Sequence, residues 1–155
     1  MNFDHHQLQY WLRDLGAEHA THFELDQDGR CTLRADDNTD VAIIAEQDDN
    51  SFAMASVLLP LSGTERERVF SQALSLNFLQ TQTRGAAIGL DEEQDALMLF
   101  YTCEVSKCEY QEFKNTLDNF VDKTLSLKET LGSARREKKL DFSSESQPMH
   151  SLLRV

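Results

Sequence analysis

The segment from Ala73 to Leu99 constrains the fold of this chain more than any other part. It runs a helix end, a glycine-framed strand, an acidic turn and a second strand together without a linker. Val69, Phe70, Ala73, Leu74, Asn77 and Phe78 keep the three-and-four spacing of a helix with an apolar face. Ala86 to Leu90 and Ala96 to Cys103 are short apolar runs, and Asp91-Glu92-Glu93-Gln94-Asp95 between them is turn chemistry. A helix feeding an antiparallel hairpin is the expected local structure. Nothing in the segment has the look of a nucleophile, a phosphate cradle or a metal cage, so it favours a protein that holds another molecule over one that transforms it.

The rest of the chain supplies matching pieces. Leu8, Trp11, Leu12 and Leu15 predict a first helix from about Phe3 to Leu15, with Asp4 and Gln7 as a capping box and Gly16 as its stop. Phe23 to Asp26 and Cys31 to Arg34 read as two short extended pieces around the turn Asp26-Gln27-Asp28-Gly29. Val41 to Ala45 is a near-continuous apolar run. It pairs with Ser51 to Leu59 across Gln47-Asp48-Asp49-Asn50 as a hairpin. Pro60 closes that strand, and Thr64 with Glu67 forms a second capping box ahead of the second helix, whose apolar arc Leu76 and Leu79 widen. Tyr110, Phe113, Leu117, Phe120, Leu127 and Leu131 predict a third and longest helix from about Cys108 to Leu131, interrupted only by Thr124 and ended by Gly132-Ser133. The order is α-β-β-β-α-β-β-α, with room for one further strand near the front. The fold class is α+β with an antiparallel twisted sheet flanked by helices.

With 155 residues one core is expected, in a domain over residues 1–132. Residues 133–155 read as a flexible polar tail, with a basic cluster at Arg135, Arg136, Lys138 and Lys139 and a short docking element at Leu152 and Leu153. A solvated end and a contact for an acidic partner or a membrane surface are both compatible with that cluster. The formal charge is −12, and the tail is net basic, so the acidic excess lies in residues 1–131. Such a body repels phosphate backbones and anionic lipid, which argues against nucleic acid as a partner. The N-terminus has no basic region followed by an apolar run, and no block is long enough to cross a bilayer, so a cytoplasmic location without membrane insertion is expected. Three cysteines, Cys31, Cys103 and Cys108, are expected as reduced thiols.

Sharper chemical readings are weak. His5, His6, His19 and His22 have no zinc-like spacing, and Cys103 with Cys108 adds no recognised ligand set, so no metal and no cofactor is expected. Asp91, Glu92, Glu93 and Asp95 fall in a hairpin turn where solvent keeps carboxylates ordinary, so no catalytic residue is assigned. Arg84, Gly85 and Gly89 lack the pattern of a phosphate loop.

The ALSLN segment, the AAIGL strand, the DEEQD turn and the LMLFY strand resemble class I type III secretion chaperones, the Tir-chaperone (CesT-like) family. FELDQDGRCTLR, VLLPL and DNFVD agree, so the resemblance covers about residues 5–131. It implies an acidic cytosolic homodimer, not an enzyme, that binds the N-terminal segment of a secreted effector in extended form and keeps it competent for secretion, with a role in virulence. It also admits the secretion ATPase as a partner. Helix two and the strand after it would then form the twofold seam, through Val69, Phe70, Ala73, Leu74, Asn77, Phe78 and Ile88. A groove built by helix one and the sheet would receive effector side chains at Leu8, Trp11, Leu12, Phe23, Leu25 and Leu33. Trp11 serves equally as a core residue or as a groove anchor. Two alternatives stay open at this stage: the same scaffold acting as an adaptor or regulator of the secretion apparatus, and a small metal-dependent enzyme.

Overall fold

A computed structural model of the chain describes residues 3–47, 50–63, 65–78 and 85–145, with side chains described between residues 6 and 132. Helix α1 spans Phe3–Glu18 and is followed by strands β1 (Arg30–Asp36), β2 (Thr39–Ala45) and β3 (Ser51–Pro60). Helix α2 (Arg66–Phe78), strands β4 (Ala87–Asp91) and β5 (Ala96–Glu104), a short 3-10 turn at Val105–Lys107 and helix α3 (Tyr110–Glu145) complete the order. The five strands form one antiparallel sheet in the order β1-β2-β3-β5-β4, so β1 and β4 are its edges. This is the α+β arrangement expected from the sequence.

The core lies on one face of that sheet. Cys31, Leu33, Val41, Ile43, Phe52, Met54, Leu97 and Leu99 alternate inward along their strands and meet Leu8, Trp11, Leu12 and Leu15 of α1 and Phe113, Leu117, Phe120, Leu127 and Leu131 of α3. An aromatic triangle ties three elements together. Trp11 stacks on Phe113 at 5.4 Å between ring centroids, and Phe52 meets their edges at 6.4 and 5.7 Å. Thr124, the polar interruption of α3, is fully buried, and its hydroxyl donates to the Phe120 carbonyl at 2.8 Å. A bulge between Val57 and Leu59 lets Leu58 and Leu59 both turn inward ahead of Leu61, which explains the VLLPL run.

Several boundaries differ from the sequence reading, each for a visible reason. Helix α1 begins at Phe3 as expected, which puts Asp4 inside the helix instead of at its cap, and it passes Gly16 to end at Glu18. Its left-handed closing residue is Ala20 (φ 53°), and Thr21 donates to the Gly16 carbonyl at 2.9 Å. Gly16 is needed because the chain doubles back over it: a Cβ there would sit 2.8 Å from the Thr21 oxygen. Residues 23–25 form no strand, because the Leu25 N–H is taken by Gln9 Oε1 of α1 at 2.9 Å. The first hairpin instead turns at Asp37 and Asn38, where the Asp36 carboxylate accepts the Asn38 N–H at 2.8 Å. Helix α3 continues through Gly132 and Ser133 to Glu145, so the stop read at those residues is corrected. A helical glycine carries only a modest penalty, and a Cβ at Gly132 would meet nothing within 4 Å. The cap at Thr64, the Asp48-Asp49 half of the second turn, Leu79, Arg84 and the docking element at Leu152 and Leu153 lie outside the described residues.

Candidate functional site

Two surfaces carry the residues singled out from the sequence. The first is built by α2 and β4. Helical spacing splits α2 into two stripes. Val69 and Ala73 are buried in the core, whereas Phe70 is half-buried, Leu74 is 69% exposed and Phe78 is 87% exposed. Phe70, Leu74 and Phe78 follow one another at four-residue intervals, so they share a face. Ile88 of β4 is buried. Asn77 spends its amide within the chain, donating from Nδ2 to the Ile88 carbonyl at 2.8 Å and accepting the Ile88 N–H on Oδ1 at 2.7 Å. Arg66 fixes the start of α2 by pairing with Asp95 of the β4–β5 turn at 2.6 Å, and its guanidinium lies over the Phe70 ring.

The second surface lies where α1 meets β1. Leu8, Trp11, Leu12 and Leu33 are buried in the core, while Phe23 and Leu25 are half-buried beside it. The connecting segment is pinned at Leu25 by Gln9. Gln9 Nε2 is buried without an acceptor. The Ala45 N–H donates to the Gly29 carbonyl. That sets the phase of the ladder, so Arg30, Thr32 and Arg34 turn their backbone groups away from β2. At Arg30 those groups are satisfied by Asp26, whose N–H donates to the Arg30 carbonyl and whose carboxylate accepts the Arg30 N–H. Thr32 and Arg34 face the open edge.

The opposite face of the sheet was not singled out from the sequence. Half-buried Ala42, Ile44, Ala55, Val57 and Met98 with exposed Phe100 line a shallow depression of about 360 Å³ there. Its signal was the near-continuous apolar run of β2, which supplies apolar side chains to both faces at once.

Titratable groups show no concentrated chemistry. Bonds from the Tyr110 hydroxyl and the Lys114 ammonium hold the Glu18 carboxyl below its usual range, and Tyr110 is pushed up to about 12, chiefly by desolvation. These groups clasp the end of α1 to the start of α3. Burial raises the thiols of Cys31 and Cys108, and raises Cys103 to about 12; all three are free. Among the described residues no three His, Cys, Asp or Glu side chains gather as a metal site, and no helix is long and apolar enough to cross a membrane.

Comparison with known proteins follows the same lines. The sequence profile of the Tir chaperone protein (CesT) family matches residues 11–128. Among solved structures, the ExsC-ExsE complex contains a chain that superposes with a TM-score of 0.74 at 17% identity, covering 84% of this chain and 97% of that one. A chain of the HopA1-SchA chaperone-effector complex gives 0.66 at 15% identity, covering 83% and 98%. A chain of the complex of the Yersinia pestis type III secretion chaperone SycH with a stable fragment of YscM2 gives 0.57 at 16% identity, covering 77% and 98%. At these identities the likeness shows the fold. No curated protein matches the sequence.

Proposed function

Because the chain belongs to the Tir chaperone protein (CesT) family, we propose that it is a cytosolic type III secretion chaperone, which holds the N-terminal segment of a secreted effector in extended form and performs no catalysis. The observation that carries this reading is the family match across residues 11–128. The structural neighbours described as chaperone-effector and chaperone-fragment complexes support it. An extended guest gains main-chain hydrogen bonds by adding to a free sheet edge, and its alternate side chains enter apolar pockets. The Thr32–Arg34 edge of β1, flanked by Phe23 and Leu25 with Leu33 beneath, is where we place that guest. Leu8, Trp11 and Leu12 are core residues of the free chain, so they support this site from beneath and do not meet the guest. Ordering a disordered guest costs about 2–5 kcal/mol or more, so a long contact is required, and a homodimer joined through Phe70, Leu74 and Phe78 supplies two such edges.

The experiment is co-purification from the native cell with limited proteolysis. A bound secreted protein with one protected segment is expected, and a chain that captures none overturns the reading. Thr32→Pro removes the outward N–H without touching a β1–β2 bond, as proline is tolerated on a strand edge. It is expected to cut guest capture at least tenfold while the free chain stays folded.

A second reading, an adaptor or regulator of the secretion apparatus, is favoured by the continuation of α3 to Glu145 with four basic residues at Arg135, Arg136, Lys138 and Lys139. We treat residues 1–132 as the guest-holding unit and 133–155 as an appendage. Deleting 133–155 separates the roles: guest capture survives under the first reading, and binding to the apparatus, including its ATPase, is lost under the second.

A further inference from the structure

The two edges of the sheet are treated differently. On β4, the bonds from Asn77 mark Ile88 as a residue whose backbone groups point away from β5, and by alternation Leu90 does the same. A primary amide carries a donor and an acceptor side by side, as a peptide group does. The Asn77 side chain therefore stands where the backbone of a neighbouring strand would stand, at Ile88, the second residue of the five in β4, and leaves Leu90 beyond its reach. Its bonds of 2.7 and 2.8 Å are full-strength hydrogen bonds. On β1 the comparable cover among the described residues is Asp26 at Arg30, which leaves Thr32 and Arg34 turned outward.

We propose that Asn77 is the residue that decides which edge of this sheet accepts an added strand: it occupies β4 at Ile88, one of that strand's two outward residues, so that an extended polypeptide is received at β1, where Thr32 and Arg34 are successive open positions, and copies of the chain meet through α2 side chains, not through a continuous sheet. The identity of the guest rests on the chaperone reading above, whereas the cover at Ile88 does not. Free edges template pairing with any extended chain, and folded proteins suppress this with devices placed on the strand that must stay unpaired. Asn77 acts as such a device from a helix. By bonding Ile88 it also ties the end of α2, with Phe78 next to it in the chain, to β4.

The test uses the full chain without any guest. In the wild-type protein, amide exchange followed by NMR is expected to be at least tenfold slower at Ile88 than at Thr32 and Arg34; equal rates at the three positions overturn the proposal. In Asn77→Ala, Ile88 exchange is expected to rise at least tenfold, and the mass measured by light scattering is expected to climb with concentration above that of the wild type. Unchanged Ile88 exchange, or faster exchange with no gain in mass, refutes the edge-guard role. If Asn77→Ala does not fold, the wild-type comparison alone decides. Failure to capture a secreted protein would overturn the chaperone reading and leave this result standing.

Discussion

Replacing Leu74 with Asp tests the proposed twofold seam most directly, because its cost in the folded chain and its cost in the dimer differ by an order of magnitude. Leu74 is 69% exposed on α2. In a single subunit the change costs about 0.5 kcal/mol, the scale of helix propensity on an exposed face. In a seam formed by Phe70, Leu74 and Phe78 the new carboxylate is buried without a partner, at about 3–5 kcal/mol. A twofold interface repeats the residue, so the dimer loses at least about 6 kcal/mol, which is roughly a ten-thousandfold weaker dissociation constant. Sedimentation equilibrium at micromolar concentration is expected to give twice the 17.7 kDa chain mass for the wild type and the single mass for Leu74→Asp, with unchanged far-ultraviolet circular dichroism. A variant that keeps the double mass refutes the seam. A wild type of single mass refutes the dimer.

Phe113→Ala removes the ring that joins Trp11 to Phe52 and is expected to cost about 3–5 kcal/mol. At this chain length that lowers the melting temperature by roughly 6–20 °C, read by calorimetry; a change below about 2 °C would show that the aromatic triangle is not the centre of the core. Glu18, Asp36 and Asp40 are held below their ordinary range, respectively by Tyr110 and Lys114, by the Asn38 N–H and Thr39, and by Arg34. Depressed carboxyls contribute stability above their unfolded values, near pH 4, and lose it as pH falls through the folded ones. Urea midpoints are therefore expected to fall from about pH 4.5 downward, and less steeply in Glu18→Gln; a parallel profile for that variant would discard the clasp.

The exposed stripe on α2 and the order of elements were legible in the sequence because both follow from local periodicity. Phe70, Leu74 and Phe78 are spaced for one helix face whatever they meet, and the acidic turn after Leu90 can only reverse the chain. The groove was less legible. Leu8, Trp11, Leu12 and Leu33 look like surface anchors in a linear pattern, but an apolar residue facing a core and one facing a partner have the same chemistry, and three-dimensional packing separates them. Phe23 to Asp26 read as a short extended piece because their alternation suits one; Gln9, sixteen residues from Leu25 in the chain, claims the Leu25 backbone donor instead.

By itself, then, the sequence determined most of the segments that become helices and strands, where most turns fall, and that the body is acidic, since these depend on neighbours a few residues apart. Tertiary structure alone decided that β1 and β4 become the edges, that Asn77 covers Ile88 on β4 and Asp26 covers Arg30 on β1, and that α3 runs on past Gly132. The physical reason is that a backbone group is satisfied by whichever donor or acceptor the whole fold brings within about 3 Å, and no local pattern of residues records that distance.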